Sequence, residues 1–123
     1  MARGLETFLA ALAVGIVAGS PATADPLLRD FAVCTGRYSA LVEHQWLVDG
    51  PASDASAGTR DSLWALVKAV AGPGEAATAM NWRIEAKVAQ KALLDRAFFA
   101  QDRVAEIRSA QLLQGCADLI GQS

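Results

Sequence analysis

"GPGEAATAMNWRIEAKVAQKALLDRAFFAQDRVAEIRSAQLLQGC", Gly72 to Cys116, decides the fold. It opens on a Gly-Pro-Gly stop and then runs from Glu75 to Gln114 with neither glycine nor proline. Local signals alone allow one helix of about forty residues here, ~60 Å long at the usual rise per residue. The preceding chain supplies only two shorter helical patterns, too short to cover such a rod. The cysteine at the end of the stretch points to a different solution.

Upstream, Asp25-Pro26 is a helix-opening pair, with Asp as N-cap and Pro at the first helical position. Leu27, Phe31, Cys34, Tyr38, Leu41 and Val42 then recur at three- and four-residue steps, predicting a helix to about Val48. "DGPASDASAGT", Asp49 to Thr59, is loop-like in composition, although Ser53 or Asp54 could already cap the next element. Leu63, Trp64, Leu66, Val67 and Val70 mark a second amphipathic helix that ends at Gly72 to Gly74. If these two helices are antiparallel, the Gly-Pro-Gly turn lies at the same end as Cys34. An unbroken third helix would carry Cys116 to the far end. A break near Ala100–Asp102, with Asp102 as cap, returns it. The sequence therefore predicts an all-α fold, a small up-down-up-down four-helix bundle with one disulfide, Cys34–Cys116.

Export supports that bond. Arg3 precedes an apolar run from Leu5 to Gly19, and small residues at Ala22 and Ala24 complete an A-x-A end. This is a signal-peptide pattern with cleavage after Ala24, the alternative being a retained anchor. Residues 25–123 then form one helical domain in a periplasmic or secreted setting. Residues 1–24 carry one basic and one acidic side chain, so their loss leaves the net charge at −2. Such a chain has no electrostatic drive toward nucleic acid, and after cleavage no stable membrane insertion is expected.

Other roles for the cysteines fare worse. Cys34 lies too far past the apolar run for a lipid anchor. Two distant cysteines and a single histidine do not make a zinc site, so no metal is expected. A catalytic thiolate needs a base, and His44 falls ten residues on, about 80° around the helix and ~15 Å along it. No phosphate loop, haem-attachment motif or nucleophile elbow occurs. The sequence thus predicts no catalytic residues, no enzyme activity and no cofactor. Gly36, with Ala40 one turn on, predicts a strip where another helix comes close.

Two function classes remain. On a helical wheel of Asn81 to Ala100, Trp82, Ala86, Ala89, Leu93 and Ala97 form one apolar side, and Ile84, Val88, Ala92 and Phe99 another. Arg83, Lys87 and Lys91 lie opposite, with Leu94 and Phe98 pointing the same way. That face predicts docking to another periplasmic or envelope protein, making the chain a non-enzymatic adaptor, inhibitor or accessory subunit. Glu85 and Arg96 fall inside the apolar arc, where partial burial demands partners, and Arg37, Tyr38 and His44 are the candidates. This second reading is a polar interhelical pocket that binds a small ligand or anion. Trp46, Trp64 and Trp82 are expected in the core.

Overall fold

The computed structural model describes residues 25–122 and shows four helices. The proposed signal peptide lies outside the described residues. α1 (Asp25–Val48) carries Pro26 in its first turn, where a missing N–H sacrifices no helical bond. A single 3₁₀ turn, Gly50–Ala52, follows. The Ser53 hydroxyl donates to the Gly50 carbonyl (2.6 Å), and α2 (Ser53–Val70) starts there, so the composition-based loop shrinks to four residues. Ser53 and Ser56 are buried, and tertiary packing outweighs their weak helix propensity.

The Gly-Pro-Gly stop behaves as its residues dictate. Ala71 turns extended, Gly74 takes the left-handed region (φ 80°), and the Gly72 N–H donates to the Glu75 carboxylate at 2.5 Å. α3 (Ala76–Phe99) then ends where the cysteine argument requires. Gln101 adopts φ 56°, and the Ala100 and Asp102 N–H groups both reach back to the Arg96 carbonyl at 3.1 Å. Glycine usually occupies such a closing position. Here the Gln101 amide donates to the Phe98 carbonyl (3.0 Å), which explains why no glycine announces the break. Asp102 caps α4 (Arg103–Leu119) by accepting from the Ala105 N–H at 3.0 Å.

Contacts fix the directions. Gly36 meets Arg83 and Lys87, and His44 meets Phe98, so α1 and α3 run parallel. Gln90 pairs with Ser109 and Arg96 with Asp102, making α4 antiparallel to α3. Cys34 and Cys116 form the disulfide, with Cα atoms 5.5 Å apart. The core gathers Leu28, Phe31, Cys34 and Tyr38 of α1, Leu63 and Val67 of α2, Ala79 of α3 and Cys116 of α4. Thr35 and Ser39 are buried too, their hydroxyls satisfied by carbonyls four residues back. Among the described residues no helix is long and apolar enough to cross a membrane.

Candidate functional site

α1 presents Arg29, Val33 and Arg37 at four-residue steps toward a groove walled by α3 and α4. One cavity of about 250 Å³ lies between these residues, Trp82, Glu85 and Gln90 of α3, and Leu112 of α4. A second, of about 420 Å³, shares the three α1 residues and continues past Cys34 to Gly115 and Leu119. The groove exists because α4 is tied to α1 by the disulfide while burying only Ala105, Ser109 and Cys116.

The charges in this groove are poorly neutralised. Among the described residues, no carboxylate oxygen lies within 4 Å of the guanidinium nitrogens of Arg29 or Arg37. Arg37 donates only a long bond to the Cys116 sulfur, 3.7 Å. Burial holds its pKa below the ordinary arginine value, and Arg108 pushes the same way against a smaller pull from Asp30. Arg29 sits over the Trp82 ring, 5.5 Å from its centroid, a cation–π contact that orients the guanidinium without neutralising it. Glu85 is exposed and makes no ion pair or hydrogen bond among the described residues. Gln90 is 1% exposed. Its amide nitrogen donates to the Ser109 hydroxyl (2.8 Å) and carbonyl (3.4 Å), and its fully buried carbonyl oxygen has no partner among the described residues.

The structure divides the five expected pocket residues. Arg37 and Glu85 do line one cavity. Tyr38 is instead a core residue, its phenol pushed above the ordinary pKa by burial. His44 lies at the other end of the bundle, edge-on to Phe98 (5.5 Å) and Phe99 (6.5 Å). Arg96 is exposed rather than buried and sits 3.7 Å from Asp102 across the turn. Glu85 is likewise exposed. The physical reason is a rotation of α3: its backbone meets α1 at Arg83 and Lys87, so the side bearing Ile84, Val88 and Phe99 stays in solvent.

That rotation also narrows the expected docking face. Arg83 turns inward, 4.6 Å above the Trp64 ring, and donates to Ser39 (3.3 Å). Burial and the nearby Arg60 lower its pKa, with Asp61 opposing. Lys87 pairs with Glu43 of α1. Leu94 is buried, 9% exposed, leaving Lys91, paired with Asp95, and the half-exposed Phe98 outside. Trp46, expected in the core, is 63% exposed, whereas Trp64 and Trp82 pack against the core. Sequence reasoning missed Arg29, and the two four-residue steps from Arg29 through Val33 to Arg37 were the available signal. It also missed Gln90, a polar residue inside an alanine-rich arc.

No protein-family model, no curated protein and no solved structure matches this chain. The groove therefore has to be read from its own chemistry. Arg29 and Arg37 line this cavity together with the Glu85 carboxylate, and neither guanidinium has a carboxylate oxygen within 4 Å among the described residues.

Proposed function

We propose that this chain is an exported, non-enzymatic binding module whose groove between α1, α3 and α4 holds a small carboxylate-bearing ligand. The anionic group sits between Arg29 and Arg37, and Val33, Trp82 and Leu112 supply apolar contact. The carrying observation is Arg37: a half-buried guanidinium in a cavity with no carboxylate within 4 Å among the described residues. A half-buried cation without a counter-charge is costly, and a bound anion relieves that cost. Docking through α3 would use a narrower surface, because Leu94 is buried and Arg83 and Lys87 are engaged within the fold, leaving Lys91 and Phe98 outside.

The test is titration of the purified, disulfide-intact protein with acetate, hexanoate, benzoate and succinate, followed by amide shifts in an NMR spectrum. Saturable shifts at Arg29, Arg37 and Trp82 are expected, absent in an Arg29→Gln, Arg37→Gln double variant. If no carboxylate produces saturable shifts up to about 10 mM, beyond even the weak ~1 mM range, the reading fails.

A further inference from the structure

The two walls of the groove differ in hydrogen-bonding character. On α1, Arg29 and Arg37 offer donors only. On α3, Glu85 offers acceptors only. A plain carboxylate answers one wall and leaves the other unanswered. A dicarboxylate is worse, since its second anionic group meets Glu85.

We infer that the ligand is dipolar: an α-amino acid or short peptide with both termini free, its carboxylate held by Arg29 and Arg37 and its ammonium by Glu85. The inference rests on the carboxylate-binding reading above. An ammonium is a pure donor with three N–H groups, matching the acceptor-only carboxylate of Glu85. Glu85 shares the cavity with Arg37 yet lies beyond ion-pair distance, so neither charge neutralises the other directly. A zwitterion bridges that separation and satisfies both. The cavity of about 250 Å³ suits a ligand of amino-acid size, smaller than ordinary drug-sized sites of ~300–1,000 Å³. Ala86 and Ala89 leave room on the α3 wall, and Val33, Trp82 and Leu112 offer an apolar surface for an aliphatic side chain.

The experiment is calorimetric titration of the full purified chain with L-leucine, N-acetyl-L-leucine and L-leucinamide, repeated with the alanine and phenylalanine triplets. Repetition prevents one side chain from deciding the result. The free amino acid is expected to bind at least ~10-fold more tightly than either capped form, the usual cost of losing a charge-assisted hydrogen bond. Glu85→Gln should weaken the free amino acid and leave its N-acetyl form unchanged. Arg37→Gln should weaken both and leave the amide unchanged. An N-acetyl form binding as tightly as the free amino acid overturns the dipolar ligand while leaving the carboxylate groove standing. Failure of every free and N-acetyl amino acid to bind overturns the dipolar ligand, and joined to a flat carboxylate titration it overturns both readings.

Discussion

Gly36 of α1 lies directly against the backbone of Arg83 in α3. A methyl group added at Gly36 would overlap the Arg83 carbonyl oxygen and come within 3.0 Å of the Lys87 nitrogen. This contact sets the rotation of α3, and with it the inward turn of Arg83 and Lys87 and the exposure of Glu85. A glycine inside a helix costs ~1 kcal/mol relative to alanine, so the close approach must return more than that.

Gly36→Ala is therefore expected to destabilise the fold by about 1–3 kcal/mol despite the better helix former, because backbone cannot step aside as a side chain can. Gly58, also helical, has nothing within 4 Å of an added Cβ, and Gly58→Ala should stabilise by up to about 1 kcal/mol. Urea unfolding of both variants checks the pair. A stabilised Gly36→Ala would show that the helices are not in backbone contact.

Loss of the disulfide should be felt most in α4. The bond closes a loop spanning 82 residues, worth ~4–4.5 kcal/mol in the chain-entropy model as an upper figure. α4 buries only Ala105, Ser109 and Cys116, so little else anchors it. In a Cys34→Ala, Cys116→Ala variant, amide exchange is expected to accelerate first across Arg103–Leu119 while α1 and α2 keep protection. Uniform acceleration through all four helices would contradict this order.

The burial of Leu94 and exposure of Phe98 separate two residues that sequence alone places on one face. Leu94→Ala should cost about 2–4 kcal/mol, a typical core truncation. Phe98→Ala removes a ring that is 49% exposed and should cost about 1 kcal/mol or less, mainly its edge contacts with His44 and Phe99. Thermal melts with the disulfide intact distinguish them, and equal losses would refute the rotation of α3.

Tyr38 should confer a sensitivity to alkali. Burial raises its pKa above the ordinary 10.0, so the folded state holds its proton more tightly than the unfolded state does. Stability is fully present below pH 10 and falls as pH rises from there through the raised folded value. Arg37 and Arg83, whose values burial depresses, act in the opposite sense. Tyr38→Phe should flatten the decline in urea midpoint between pH 9 and pH 11. An unchanged slope would remove Tyr38 as its cause.

How much of the groove was legible follows from which forces decided it. Glu85 stood out because a charged side chain within an apolar pattern signals burial wherever it occurs, and Arg37 as a candidate partner for it. They do line one cavity, though Glu85 does so from an exposed position. Arg96 carried the same signal and went elsewhere, as did its candidate partner His44, since a wheel shows which residues share a side of a helix but not which side meets a neighbour. Arg29, Trp82 and Gln90 became site residues only through the placement of α4.

The sequence by itself determined the elements and their order. Gly-Pro-Gly had to stop α2, Asp102 could cap α4, and two cysteines in an exported helical chain required a turn near residue 100. These are local or topological constraints, written in backbone chemistry and chain length. The rotation of α3 about its axis was decided by tertiary structure alone. Apolar residues lie on nearly every side of that helix, so periodicity offers several faces of similar merit. Backbone contact at Gly36, the Arg83–Trp64 stack and the Lys87–Glu43 pair select one of them. That choice buries Leu94, exposes Ile84 and Val88, and leaves Glu85 facing the two arginines of α1 across an open groove.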